Sequence, residues 1–353
     1  MIMTSSTATS SRLIRLALVG GIPLLLALLF LWAGGWLTPQ RLSADKLVDT
    51  LQAAPGAQSG FRRNHAKGLC VIGEFTSSGR AGALSRAALF GEGTTPVTGR
   101  FAIAGGNPHA PDYAVPVRSL ALEFTSPSGQ QWRTGMNAMP FFPVATVQGF
   151  YDQLLASKPD PATGKPDPKK MQAFLTAHPE AKPFLAWAKQ AGLSASWAVD
   201  RYNSINAFRF IDKAGQSHLV RWSMVPHQRW QPIAAEQKVD KDFLQRDLTR
   251  RLAEGPLAWD LIITLAGKGD RGDDASKAWP ADRQTVNAGT LVLRRAVPQE
   301  GGPCNNINYD PLILPDGIAA SDDPLLNARS SAYAKSYNRR THEEARGAAG
   351  EGL

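Results

Sequence analysis

The sequence predicts an α+β domain built on a largely antiparallel sheet and preceded by one membrane-spanning helix. Runs of β-branched and apolar residues recur in pairs joined by short turns. Helical periodicity is confined to the stretches between those pairs, without the strand–helix alternation of a doubly wound sheet. Residues 16–37, LALVGGIPLLLALLFLWAGGWL, run for 22 positions without a charge, and about 20 apolar residues suffice to cross a bilayer.

Arg12 and Arg15 precede this apolar run, and Trp32 and Trp36 lie near its far end, where indoles favour the membrane interface. By the positive-inside tendency, residues 1–15 form a short cytoplasmic N-terminus, and everything after Thr38 lies across the membrane, in a bacterium the periplasm. A cleavable signal peptide is the competing reading, which would leave a soluble periplasmic protein. Its apolar core usually spans only ~7–15 residues, so an anchor is favoured.

Composition narrows the rest. With 43% hydrophobic and 20% charged residues the chain is globular rather than disordered. Its two cysteines, Cys70 and Cys304, exclude a disulfide scaffold and a cysteine-based zinc module. Export would permit a bridge between them, but nothing in the sequence brings them together, and two independent thiols are expected. The net charge of +9 spreads over 39 basic and 30 acidic residues with no Lys/Arg block longer than two, so no nucleic-acid partner is expected.

Along the chain, residues 42–51 read as a short helix. Leu69–Phe75, Phe101–Ala104 and Arg118–Thr125 read as strands, the last forming a hairpin with Trp132–Met136 across Ser126-Pro127-Ser128-Gly129. Val144–Ser157 has helical spacing, and the proline-rich Lys158–Lys170 reads as a surface loop. Two helical stretches then flank Pro179 and Pro183. A second hairpin pairs Ala207–Ile211 with His218–Met224, Asp240–Ala253 is amphipathic, and Leu257–Ala266 and Thr290–Val297 are the last long strands. Ser321 or Asp322 can cap a final helix with Pro324 in its first turn.

Four segments hold candidate chemistry. Arg62-Arg63-Asn64-His65-Ala66-Lys67-Gly68 sets a histidine among cations ahead of a strand, and Gly99-Arg100-Phe101 brings a cation into another. Trp132–Phe142 leaves Asn137 at a strand exit. In Ser321–Arg340, Arg329 and Tyr333 are four apart on one helical face, although Tyr337 keeps the choice of tyrosine open on spacing alone.

Taken in this order, the segments resemble the haem catalase superfamily. Arg62…His65-Ala66-Lys67-Gly68 is similar to its R-x-x-H-A-K-G pattern, followed by Arg100-Phe101 and by Arg118 ahead of a strand. Met136-Asn137-Ala138-Met139-Pro140-Phe141-Phe142 is similar to N-N-x-P-x-F, and Pro315-Asp316-Gly317-Ile318 with Arg329-Ser330-Ser331-Ala332-Tyr333 to P-x-G-I…R-x-x-x-Y. The resemblance spans residues 42–340 and implies a catalase-like antiparallel β-barrel with helical insertions over residues 38–340, followed by a flexible tail at 341–353.

It also implies roles. His65 would be the distal acid/base and Asn137 its partner in orienting peroxide. Tyr333 would be the axial iron ligand, hydrogen-bonded by Arg329. Arg62, Arg100 and Arg340 would hold haem propionates, and Phe150 would stack on the porphyrin. A neutral imidazole suits transfer of a proton between peroxide oxygens, an amide can donate where negative charge develops, and forked guanidinium donors fit carboxylates. Tyrosine is a known axial haem ligand. The cofactor implied is haem b, there being no C-x-x-C-H attachment site.

The departures from the pattern are informative. Catalases commonly carry a serine, hydrogen-bonded to the distal histidine, two residues after the arginine of the R-F motif, where this chain has Ala102. Ala138 replaces the second asparagine, a membrane segment stands where larger catalases have an N-terminal arm, and the chain ends at Leu353, soon after the tyrosine motif. These features resemble the small bacterial catalase-related peroxidases. The activity implied is reduction of hydrogen peroxide or organic hydroperoxides at the expense of an organic electron donor, through O–O heterolysis and a ferryl intermediate. A true catalase and a non-catalytic periplasmic haem-binding protein are the alternatives, and a monomer or homodimer is expected.

Overall fold

The computed structural model describes residues 6–34, 37, 42–56, 58–160 and 162–350. Residues 1–43 form one unit and residues 44–353 a second. In the first, helix α1 (Ser6–Ala33) begins well before the apolar run, so much of the expected N-terminal extension is already helical. Its segment Arg15–Ala33 has a mean hydropathy of 2.4 and is long and apolar enough to cross a membrane. Trp36 and the boundary at Thr38 lie outside the described residues.

The second unit is an eight-stranded antiparallel barrel. Its strands are β1 (Gly68–Ser77), β2 (Gly93–Ile103), β3 (Arg118–Thr125), β4 (Gln131–Asn137), β5 (Tyr202–Asn203), β7 (Ser217–Pro226), β8 (Leu257–Leu265) and β9 (Thr285–Pro298). The order β7-β5-β4-β3-β2-β1-β9-β8 closes on itself through β7–β8 pairing. Outside the ring, strand β6 (Phe208–Ile211) pairs with β7 and β10 (Ile318–Ala320) pairs in turn with β6. Both expected hairpins are present, as β3–β4 and β6–β7. Strand β2 starts eight residues before the expected Phe101, because Thr94 to Pro96 pair with β1 alone while pairing with β3 begins at Val97. A proline is tolerated where one side of the ladder is open.

The period-2 alternation of strands divides the barrel into two faces. Inward go Leu69, Phe101, Leu120, Leu122, Met136 and four fully buried tryptophans, Trp132, Trp197, Trp222 and Trp259. Phe101 stacks on Trp197 at 5.6 Å, and the Trp222 indole donates to Thr134 Oγ1 at 3.1 Å. Outward go Arg100, Ala102, Ser119, Ala121, Gly135 and Asn137, one stripe across β2, β3 and β4.

Over that stripe lie α2 (Ala44–Ala53), α3 (Val147–Ala156) and the long α7 (Pro324–Gly350). Helices α4 (Pro168–Ala177), α5 (Lys182–Gln190) and α6 (Phe243–Glu254) complete the unit. Asp323, rather than Ser321 or Asp322, caps α7, its Oδ1 accepting from Leu325 N at 2.9 Å. The expected tail after residue 340 is instead helical to Gly350, because Glu343 pairs with Arg63 and Glu344 with Arg340.

Cys70 and Cys304 do not stay apart as expected: they form a disulfide, with Cα atoms 5.4 Å apart. Cys70 lies on β1, which pairs with β9, and the turn after β9 folds back over that outer face. The 234-residue separation hides this proximity in the sequence.

Candidate active site

Between the outer stripe of the barrel and the covering helices lies a cavity of about 320 Å³. Its wall contains all eight residues singled out in the sequence: Arg62, His65, Arg100, Asn137, Phe150, Arg329, Tyr333 and Arg340. The barrel and the loop before β1 supply Arg62, His65, Asn137 and Arg100, α3 supplies Phe150, and α7 supplies Arg329, Tyr333 and Arg340.

His65 is held in the left-handed backbone region at φ 53°, which few residues other than glycine adopt at low cost. The carboxamide oxygen of Asn64 compensates by accepting from His65 N at 2.9 Å and Gly105 N at 2.8 Å. Arg100 clamps the same loop, donating through Nη2 to the carbonyls of His65 at 2.7 Å and Ala66 at 3.0 Å. Gly68 permits that approach, since a Cβ there would stand 2.6 Å from Arg100 Nη2. Removal from water, then the cations Arg100 and Arg329, push the His65 pKa down from 6.5 to about 3, so its ring is neutral at physiological pH.

Ser119 was not picked out in the sequence. It is buried on β3, its Oγ 2.9 Å from His65 Nδ1 and 2.6 Å from Asn137 Oδ1. The missing serine at Ala102 is thus answered from the facing strand, for Ala102 and Ser119 are direct register partners. No local signal marks it, since the same outward row of β3 also carries Glu123 and Thr125.

On the other side, Arg329 donates through Nη2 to the Gly135 carbonyl at 3.2 Å and through Nη1 to Asn206 Oδ1. Its guanidinium carbon lies 5.9 Å from the Tyr333 ring centre, so its hydrogen bonds here run to Gly135 and Asn206 rather than to the phenol. Asn206 in turn donates to Asp323 Oδ2 at 2.8 Å. Asn206 and Asp323 were also missed, having no local motif. Ile205, at φ 67°, turns the chain so that Asn206 N bonds back to Ser204 O at 2.8 Å. Gly135 lets α7 sit close, since a Cβ would come within 3.3 Å of both Arg329 Nη2 and Tyr333 Oη.

The arginines at one end fit carboxylates. Arg62 Nη2 donates to the carbonyls of Cys304 at 3.0 Å, Asn305 at 3.2 Å and Ile307 at 3.1 Å, while its Nη1 is buried without a partner. Arg340 donates to Asn305 O at 2.7 Å and to Glu344 at 3.0 Å, leaving a buried Nε without a partner. Burial, then proximity to Arg340, push the Arg62 pKa down to about 10, and burial and Arg62 push Arg100 down as well. A cluster of desolvated cations with unused donors is a site for anionic groups such as two propionates.

Comparison with known proteins agrees. The catalase family profile matches residues 38–346. The chain is 42% identical to a catalase-related peroxidase of Synechococcus elongatus, over 85% of this chain and 89% of that one. It is 33% identical to a catalase-related peroxidase of Mycolicibacterium paratuberculosis, over 85% and 95%. With a catalase of Pseudomonas aeruginosa it shares 31% identity, covering 82% of this chain and 59% of that longer one. In fold it is similar to a crystal structure of a fungal catalase, with a TM-score of 0.72 at 22% identity, over 84% of this chain and 62% of that one. Fold, site and relatives agree, and the chain belongs to the catalase family, whose members bind haem.

Proposed function

We propose that this protein is a haem b peroxidase that reduces hydrogen peroxide or organic hydroperoxides at the expense of a small organic electron donor. The observation that carries this reading is that one cavity is lined by Tyr333, Arg329, His65 and Asn137 together with arginines that keep unpartnered donors. A bound haem would supply an iron centre able to store the two oxidising equivalents of the peroxide and pass them singly to the donor.

The protein's own residues do the rest. Arg62 and Arg340, through Nη1 and Nε, would hold the propionates, with Arg100 beside them. Tyr333 would ligate the iron through its phenol oxygen, and the Asn206–Asp323 pair holds the nearby Arg329 guanidinium in place. Neutral His65 takes the proton from one peroxide oxygen and delivers it to the other as the O–O bond breaks. Asn137 donates a hydrogen bond to the oxygen that gains negative charge. Phe150, on the cavity wall, would pack against the ring.

Peroxidase is favoured over true catalase by the higher identity to the catalase-related peroxidases, 42% and 33%, than to the Pseudomonas aeruginosa catalase, 31%. The site is placed in the bacterial periplasm, anchored in the lipid bilayer through residues 16–37. The apolar α1 and the Cys70–Cys304 disulfide, a bond favoured outside the reducing cytosol, support this placement. The test is to follow donor oxidation and oxygen evolution side by side in the haem-loaded protein. Donor-dependent peroxide consumption with little oxygen is expected. Rapid oxygen release without donor would make it a catalase, and bound haem with neither activity would make it a carrier.

A further inference from the structure

Ser119 stands between the two distal groups, and its hydroxyl has one proton to give. Its Oγ lies 2.9 Å from His65 Nδ1 and 2.6 Å from Asn137 Oδ1. The serine is buried and is flanked in register by Ala102 on β2 and Asn137 on β4, so its side chain is fixed by the sheet itself.

Only two proton arrangements satisfy both contacts. In the first, Ser119 donates to Asn137 Oδ1, and its oxygen accepts from a protonated His65 Nδ1. The cavity then meets a bare Nε2 and an amide N–H donor. In the second, every bond is reversed: the Asn137 amide donates to Ser119, Ser119 donates to Nδ1, and the cavity meets an Nε2–H and an amide oxygen. Any other arrangement leaves one contact without a single shared proton or leaves the serine proton without an acceptor, and so a buried polar group unsatisfied. The amide orientation in the structure, with Asn137 Oδ1 toward Ser119, is that of the first arrangement.

We propose that Ser119 is a positioning residue that locks the His65 tautomer and the Asn137 amide orientation together, so that a base at Nε2 and a donor at Nδ2 reach the cavity as one unit. Proton abstraction from peroxide needs the bare Nε2, and the oxygen that gains charge needs the amide donor. A single hydroxyl ties the two conditions together, so that the bare Nε2 and the amide donor come as a pair. Ala102, which faces Ser119 across the β2–β3 ladder, adjoins His65 in the cavity wall but is two strands from Asn137. A hydroxyl placed there would serve the histidine alone.

The proposal rests on the peroxidase reading for its consequence but not for its geometry, and the test separates the two. The full chain, labelled with ¹⁵N-histidine and free of haem, is examined by NMR, with the His65 signal assigned by its loss in His65→Gln. The wild type is expected to show a single Nδ1–H tautomer. In Ser119→Ala a mixture of tautomers is expected, and in Ser119→Thr, which keeps the hydroxyl, the wild-type tautomer returns. In the haem-loaded protein, Ser119→Ala is expected to react with peroxide roughly tenfold more slowly, the scale of one lost hydrogen bond. Ser119→Ala/Ala102→Ser is expected to recover the tautomer without recovering the full rate. An Nε2–H tautomer in the wild type, or a tautomer indifferent to Ser119→Ala, overturns the proposal, and the wild-type measurement does so even if a variant fails to fold. A correct tautomer in a protein that binds no haem would instead sink the peroxidase reading and leave the lock standing.

Discussion

Removing the Cys70–Cys304 bridge, as Cys70→Ala/Cys304→Ala, is expected to loosen the arginine end of the cavity as well as the fold. The bridge joins residues 234 apart, and the chain-entropy relation for a loop of that size gives about 5 kcal/mol, at the top of the ~2–5 kcal/mol found for native bridges. For a unit of this size that corresponds to a melting temperature lower by roughly 3–8 °C. The second effect is local. Cys304 sits in the segment whose carbonyls at 304, 305 and 307 hold Arg62 and whose Asn305 holds Arg340. Freeing this segment releases the clamp on both guanidinium groups, each bond to a charged group being worth about 1.5–3 kcal/mol. Thermal melts with and without reductant measure the first effect, and haem transfer to excess apomyoglobin measures the second, with a rise in release of roughly tenfold expected. A variant with unchanged melting and unchanged haem release would refute the account of this loop.

Other changes probe the remaining parts of the site. His65→Ala should slow the reaction with peroxide by ~10²–10⁴-fold, the usual acid/base contribution, in a stopped-flow measurement; a change under tenfold would exclude His65 from that role. Because the His65 pKa falls from 6.5 to about 3 on folding, the unfolded chain takes up a proton below pH 6.5 that the folded chain refuses. The stability from this site is therefore complete above pH 6.5 and lost as pH falls toward 3. Asp200, raised to about 6 chiefly by burial, slopes the other way between pH 3.8 and 6. The clean measure is the difference in unfolding free energy between wild type and His65→Gln, which should grow with pH by at most about 1.4 kcal/mol per unit across that window. Asn206→Ala should cost about 1–3 kcal/mol by removing a partner from buried Asp323 and from Arg329, read as a lower denaturation midpoint.

Much of the fold was legible because its signals are local. Paired strands with short turns announced the β3–β4 and β6–β7 hairpins, and the uncharged run at 16–37 announced α1. Seven of the eight site residues lie in motifs of four separate segments, with Phe150 outside them, and the loop before β1, the outer stripe of the barrel, α3 and α7 bring all eight to one cavity. What stayed hidden depends on register and long-range closure. Ser119 matters because β3 pairs it with Asn137 on one side and Ala102 on the other. Asn206 and Asp323 meet 117 residues apart, and Cys70 and Cys304 meet only because the turn after β9 crosses β1. The tail failed as an expectation because its helix is held by partners far back in the chain, among them Arg63.

The central claim is that Tyr333 ligates a haem held in this cavity. Its most direct test is the absorption spectrum of the purified full chain, loaded with haem, beside that of Tyr333→Phe. The account predicts a Soret band with high-spin, tyrosinate-type features in the wild type, lost or shifted to a different ligation state in the variant. A wild-type protein that stays folded and colourless, or a spectrum unchanged by Tyr333→Phe, would contradict it.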